Sequence, residues 1–284
     1  MTGYPQRIVC LTEETTETIY LLGQEHRIVG VSGYTARPPQ ARLKPKVCAF
    51  TTAKFDKIME LQPDLVLAFS DLQADIVREL MQRGLTVVGF NQRSVAEIFA
   101  MISMLSSILG VAERGADLVT RLRCDMAIIE AAAKRFSHRP RVFFEEWKDP
   151  LISGIRWVEE LMEIAGGTPI FPELREQRAA KGRIVDAAEV ALRDPQVVIA
   201  SWCGMKVNKE AIRSRPGWQS TAAVREGHVY EVKSTYILQP GPAALTEGLR
   251  QLHTILAVAA GAGAVDPDVA PAERCDPDLK LPTR

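Results

Sequence analysis

Residues 112–136, AERGADLVTRLRCDMAIIEAAAKRF, decide how the rest of the chain is read. Leu118, Val119, Leu122, Met126, Ile129, Ala133 and Phe136 recur at steps of three and four, which draws one apolar stripe along a surface of 3.6-residue period. No proline interrupts the pattern, nor any glycine after Gly115. A helix of that length spans roughly 35 Å, about the width of a small domain. His138-Arg139-Pro140 ends it, because the residue before a proline is pushed away from helical angles. Strand-like runs stand on both sides, so the spacing predicts a strut between two lobes.

Upstream of the strut, RIVCL (7–11), RIVGV (27–31), DLVLAF (64–69) and TVVGF (86–90) are short apolar runs of the kind that form buried parallel strands, and VCAF (47–50) is a brief strand or loop. Helices are predicted between them. One follows Thr12, which is placed to cap it; others cover 55–61 and 71–83, and one after Ser94 covers 95–109. Downstream the alternation resumes with RVFFE (141–145), a helix over 157–165, QVVIAS (196–201), a short helix over 209–213, HVYEV (228–232) and a closing helix over 242–260. Such alternation calls for parallel sheets covered on both faces. The halves also echo one another: IMELQPDLVLAF (58–69) aligns with VALRDPQVVIAS (190–201), a helix-Pro-strand unit in each. The fold class expected is α/β, two Rossmann-like lobes with parallel central sheets joined by one long rigid helix. The lobes are assigned to 1–110 and 138–260, the helix to 111–137, and a Pro-, Asp- and Ala-rich extended or mobile tail to 261–284.

The chain of 284 residues carries 35 basic and 35 acidic side chains, and this zero balance argues against a nucleic-acid or membrane-surface protein. No apolar run approaches the roughly 18 residues that a spanning helix needs. The N-terminus enters a strand directly, without a basic and apolar leader, which implies a cytoplasmic station as the chain stands and a periplasmic one if a signal has been removed. Five cysteines (Cys10, Cys48, Cys124, Cys203, Cys275) with no CxxC pair fit free thiols better than a disulfide framework or a zinc site.

Open parallel sheets bind ligands at the carboxyl ends of their strands, where loops and helix N-termini meet. The residues at those ends include Thr12, Glu13 and Glu14, then Tyr34, Arg37, Phe50, Phe69, Glu146, Trp147, Trp202, Cys203, Tyr236 and Gln239. Aromatics make up only 6% of the chain, yet six of them fall on these loops, and flat rings on loops suit a large, partly apolar ligand. Glu145 and Glu146 could serve as acid and base, but neighbours on a strand point to opposite faces, which favours one facing the cleft and the other pairing elsewhere. Cys203 would need a base to act as a nucleophile, and none of His26, His138, His228 or His253 sits at the cleft, so a small buried thiol fits better. No P-loop, GxGxxG, HExxH or GxSxG pattern occurs. No catalytic residue and no metal site is therefore assigned.

RIVCLTEETTETIYLLG, RIVGVSGYTARPP, FDKIMELQPDLVLAF, the long helix and DPQVVIASW together resemble the ABC-importer substrate-binding proteins for cobalamin, haem or ferric siderophores, with the likeness greatest to periplasmic cobalamin receptors. The resemblance covers about residues 6–258. It implies a bulky chelate clasped between two lobes with little hinge motion, no intrinsic cofactor, cobalamin or another corrinoid as ligand, and an ABC permease as partner of a monomer. Tyr34, Phe50 and Phe69 stand where that family places ring contacts, and Trp147 matches a further one. Asp56 matches one acidic residue that docks on the permease, whereas the second position is Ala188 with Glu189 beside it. Two rival readings remain: a cytosolic enzyme using Glu145 or Glu146 with Cys203 on a small substrate, and a ferric-siderophore or haem carrier.

Overall fold

The computed structural model describes residues 3–262. In the N-terminal lobe, six strands form one sheet: β1 (Ile8–Cys10), β2 (Ile28–Ser32), β3 (Lys46–Ala49), β4 (Thr52–Ala53), β5 (Leu65–Phe69) and β6 (Val87–Phe90). Their order is β4-β3-β2-β1-β5-β6, and all pairings are parallel except β3 with β4. Helices α1 (Glu13–Leu21), α2 (Phe55–Glu60), α3 (Ala74–Gln82) and α4 (Val95–Ile108) belong to this lobe, and α5 (Ala112–Ala133) follows. The C-terminal sheet contains β7 (Arg141–Lys148), β8 (Leu151–Ser153), β9 (Thr168–Pro169), β10 (Val197–Ala200) and β11 (Val229–Glu231) in the order β11-β10-β7-β8, with β9 also on β7. Its helices are α6 (Arg156–Ile164), α7 (Ala187–Leu192), α8 (Lys209–Arg213), α9 (Ala222–Arg225), α10 (Ser234–Ile237) and α11 (Leu249–Ala259).

The pleat explains why the strands are apolar throughout. On β1, Ile8 and Cys10 face a core shared with α1, α4 and α5, whereas Val9 and Leu11 face a separate cluster with Ile58 of α2 and Leu80 of α3. β10 divides in the same way, Val197 and Ile199 to the shared core and Val198 and Ala200 to an outer cluster around Trp218. Successive side chains leave a strand on opposite faces, so a sheet buried on both sides needs a continuous apolar run.

The long helix is more embedded than a free strut. Leu118, Leu122, Met126, Ile129 and Ala133 are buried, and the core they join runs without a break from Ile8 in one lobe to Leu256 in the other. α5 packs against α4 on one side and against α6 and α11 on the other. At Gly115 the approach to α4 is so close that an added Cβ would lie 2.4 Å from Ser106 Cβ. The lobes are therefore fused along one side through a common core, and the opening lies where the strands end. α4 starts on a capping box, Ser94 Oγ accepting from Glu97 N and Glu97 Oε2 accepting from Ser94 N.

Several local expectations change. Thr12 occupies the N-cap position of α1, but its hydroxyl donates to Glu14 Oε1 (2.5 Å) instead of capping the backbone. A 3-10 turn at Asp71–Gln73 precedes α3. The closing helix opens on a π-helical turn, Ala244–Gly248, before α11. β8 and β9 are too short to register as hydrophobic periods and are held by pairing with β7. Cys10, Cys48 and Cys203 are free, whereas Cys124 is disulfide-bonded and departs from the free-thiol expectation. Almost all of the expected C-terminal tail lies outside the described residues.

Candidate ligand-binding cleft

The two sheets turn their carboxyl ends toward each other, and cross-lobe bonds set the distance. Glu17 of α1 accepts from Arg37 Nε through Oε1 (3.0 Å) and from the Ala243 amide through Oε2 (3.0 Å), while Arg37 Nη2 reaches Glu247 Oε2 (3.0 Å). Gln92, just past β6, donates to the Pro240 carbonyl (2.9 Å). Gly241 lies against Glu14 so closely that an added Cβ would stand 2.5 Å from Glu14 Cβ, which only a residue without a side chain permits. Arg37 also lies over the Tyr236 ring at 5.2 Å. Arg37 and Tyr236, both candidates for ligand contact, are thus engaged in holding the lobes together. Gln239 sits half-buried beside them, its carbonyl accepting from the Gly241 amide.

At the head of α1, beside the point where the strand order reverses around β1, the sequence TEETTE buries three carboxyl groups. Glu13 is 8% exposed, Glu14 2% and Glu17 8%. Glu17 has Arg37 as counter-ion, yet burial still raises its pKa above the usual carboxylate range. Glu13 accepts from its own backbone amide and from the Ser32 hydroxyl, and burial raises it too. Glu14 is pushed up to about 8, by burial first and then by the neighbouring Glu13 charge. At neutral pH Glu14 is a neutral acid, able to donate as well as accept.

The carboxylates across the opening behave differently. Glu145 is fully buried and takes both amino groups of Arg215 (2.7 and 3.1 Å) together with the Trp202 indole N–H (3.1 Å). Glu146 turns to the other face of β7 and is gripped by Arg183, Nη1 to Oε2 at 2.6 Å and Nη2 to Oε1 at 2.9 Å. Arg183 itself is 1% exposed and also donates to the Ser153 carbonyl. Bidentate guanidinium pairs of this kind lock two side chains into one geometry.

The rings divide as well. Tyr34 is 56% exposed at the end of β2. Phe50 and Trp147 are half-buried, and Trp147 Nε1 donates to the Asp149 carbonyl (3.0 Å). Gln73 links two of these loops, accepting from the Phe69 amide (3.0 Å) and donating to the Phe50 carbonyl (2.8 Å). Phe69 is 6% exposed beneath the Arg93 guanidinium, 5.3 Å away. Trp202 is 3% exposed, packed in the outer cluster with Lys148 over its ring. Cys203 is exposed, and partial desolvation together with the Glu13 and Glu146 charges raises its thiol pKa. A thiol held protonated with no adjacent base is a poor nucleophile.

Arg93 and Arg183 carry much of the charge at this opening and were not among the residues selected from sequence. Arg93 could have been found, since it follows β6 as Tyr34 follows β2. Arg183 ends a single 3-10 turn, Ala180–Arg183, too short to leave a periodic signal. Asp56, on α2, pairs with Arg83 (3.2 Å), which stacks over Phe55; Glu189, on α7, pairs with Arg193 (2.8 Å), which stacks over Phe171. Among the described residues no three His, Cys, Asp or Glu side chains are grouped to hold a metal ion, and no helix is long and apolar enough to cross a membrane.

Two α/β lobes on a shared helical spine, with a fixed opening at the strand ends, define a ligand-clasping protein. The chain matches the periplasmic binding protein family over residues 8–236 and belongs to that family. It is 28% identical to the uncharacterized ABC transporter substrate-binding lipoprotein YvrC of Bacillus subtilis, covering 87% of this chain and 79% of the relative. It is 26% identical to the vitamin B12-binding protein of Vibrio cholerae, covering 89% and 90%. The crystal structure of the periplasmic vitamin B12 binding protein BtuF of Vibrio cholerae superposes with a TM-score of 0.72 at 25% identity, over 90% of this chain and 98% of that one. A periplasmic heme binding protein from Pseudomonas aeruginosa shares the fold, with a TM-score of 0.78 at 19% identity over 92% and 95%. The protein is accordingly a substrate-binding protein of the ABC-importer type and not an enzyme. This overturns the rival reading in which Glu145 or Glu146 works with Cys203, and the ion pairs to Arg215 and Arg183 supply the physical reason.

Proposed function

We propose that the cleft takes a bulky metal chelate, with a corrinoid as the first candidate and a haem or ferric-siderophore complex as the second, and delivers it to an ABC permease. What supports this reading is the set of bonds that tie the lobes together, Glu17 with Arg37 and the Ala243 amide and Gln92 with the Pro240 carbonyl, beside the accessible rings of Tyr34, Phe50 and Trp147 on strand-end loops. Rings offer large contact area at small cost in side-chain entropy, which suits a broad, stiff ligand. The Vibrio cholerae relatives, named for vitamin B12, support the corrinoid over the alternatives. Phe69 and Trp202 contribute as the packed base beneath the rim, and Glu146, Cys203 and Gln239 as its polar lining. The stations of the relatives, periplasmic or lipoprotein, support an extracytoplasmic one here, with Asp56 and Glu189 as the acidic pair that meets the permease.

Titration with cyanocobalamin, haemin and a ferric catecholate siderophore, followed by tryptophan emission and the chelate's visible band, tests the reading. Quenching and a band shift at stoichiometric ligand are expected for one of the three. Unchanged spectra for all three at high protein concentration would remove it.

A further inference from the structure

Cys124 lies half-buried on α5 and is disulfide-bonded, while Cys10, Cys48 and Cys203 are free. The chain has five cysteines, so Cys275, beyond the described residues, is the partner that remains. On a surface of 3.6-residue period Arg114, Asp117, Arg121 and Cys124 share one face of α5. The first three of them, with Thr120 and with Leu21 and Gly23 at the end of α1, line a groove of about 580 Å³. Leu21 is 47% exposed there. Among the described residues neither arginine enters an ion pair: Arg114 donates to the Leu22 carbonyl (3.2 Å), and Arg121 feels Asp125 only in company with Arg250. The described chain ends at Ala262, and the Ala260 carbonyl accepts from Ser137 Oγ (3.3 Å), just past the other end of α5. Back along the helix from there to Cys124 is roughly 20 Å, and residues 263–275 reach about 40 Å when extended. Residues 276–284, DPDLKLPTR, then reach about 30 Å, twice the roughly 15 Å from Cys124 to Arg114. Their chemistry complements the groove, with Asp276 and Asp278 for its two arginines, Lys280 for Asp117, and Leu279 and Leu281 for Leu21.

We propose that a disulfide between Cys124 and Cys275 straps the C-terminal segment along the spine helix and seats residues 276–284 in the groove between α1 and α5. As the S–S bond forms, the two thiols give up two protons and two electrons, and a low-molecular-weight disulfide or a disulfide-carrying oxidoreductase takes them up and becomes two thiols. Such a bond persists in an oxidising compartment, so the strap supports the extracytoplasmic station without appeal to the relatives. The groove lies at the far end of α1 from Glu13 and Glu14. The segment therefore braces the helix that carries the cleft acids and stays clear of the cleft itself.

The test uses the full chain equilibrated with glutathione disulfide. Complete tryptic digestion without reduction is expected to yield peptides 124–134 and 275–280 as one linked pair. Cys124 recovered as a free thiol, or joined to any other cysteine, would overturn the strap. Seating is read from brief digestion of the native protein at Lys280, which is expected to run about ten-fold slower in the oxidised protein than in Cys124→Ser or Cys275→Ser, the scale of one or two charge-assisted hydrogen bonds that must open first. Arg121→Glu, at an exposed position, should return cleavage toward the fast rate with the disulfide still in place. Equal cleavage of the oxidised protein and the two serine variants would overturn the seating. No ligand enters either readout, so failure here leaves the chelate reading standing.

Discussion

The two lobes are copies of one plan that treat their acids in opposite ways. In each, a helix runs into an X-Pro turn whose first residue adopts a left-handed backbone, Gln62 at φ 47° and Asp194 at φ 44°. In each, an arginine at the head of the lobe's first strand binds the carbonyls of that turn, Arg7 to Leu61 and Gln62 and Arg141 to Asp194. The residue after the proline closes the motif, Asp64 accepting from the Arg7 amide and Gln196 from the Arg141 amide. Above this common base the lobes diverge. The C-terminal lobe neutralises Glu145 and Glu146 with Arg215 and Arg183, whereas the N-terminal lobe buries Glu13 and Glu14 with no ion-pair partner among the described residues. Buried charge is tolerated either by pairing or by taking up a proton: Glu145, Glu146 and Glu17 are paired, whereas burial pushes Glu14, and Glu159 of the C-terminal lobe, up to about 8.

The largest effect should come from breaking a pair. Arg215→Ala strands the Glu145 carboxylate in a fully buried site and should cost roughly 3–5 kcal/mol in urea unfolding, while Glu13→Gln should cost less than about 1 kcal/mol because no partner is lost. Similar losses for the two variants would erase the contrast between lobes.

A second comparison uses pH. Glu14 keeps its proton in the folded chain up to about 8 against an ordinary value of 4.5, so between those limits the native state holds a proton that the unfolded state has released. Stability tied to this group is complete below about 4.5 and is lost as pH rises through about 8. Glu14→Gln should match the parent protein at pH 4 and exceed it by a few kcal/mol at pH 9. Denaturation midpoints that track each other across that range would show Glu14 to be charged in the fold.

The smallest effect belongs to the outer surface, where the lobes agree again. Asp56→Ala and Glu189→Ala each remove an exposed ion pair and should shift stability by less than about 1 kcal/mol. If the pair docks on a permease as proposed, their loss is instead read in that permease's ligand-stimulated ATP hydrolysis, lowered by each variant alone and further by both.

Much of this was legible beforehand because it depends on short-range order. The alternation within RIVCL and QVVIAS, the helical period of residues 112–133, the Ser94-Glu97 cap and the repeated X-Pro turn are all contained in a few adjacent residues. The candidate cleft was legible only in outline. Tyr34 and Phe50 stand at strand ends where an open sheet presents its loops, but the chain alone does not distinguish a ring that lines a gap from one that packs beneath it, as Phe69 and Trp202 do. Nor does it distinguish Arg37 as a ligand contact from Arg37 as a bolt, since Glu247 lies 210 residues away.

By itself, then, the sequence determined the α/β class, the duplicated lobe and the helix between them, because local periodicity and backbone stereochemistry specify those features before any long-range contact forms. Tertiary structure alone decided that the helix lies within a core common to both lobes, and that Glu145 and Glu146 are paired while Glu13 and Glu14 are not. The charge state of a buried acid and the partner a buried arginine finds depend on groups brought close from distant parts of the chain.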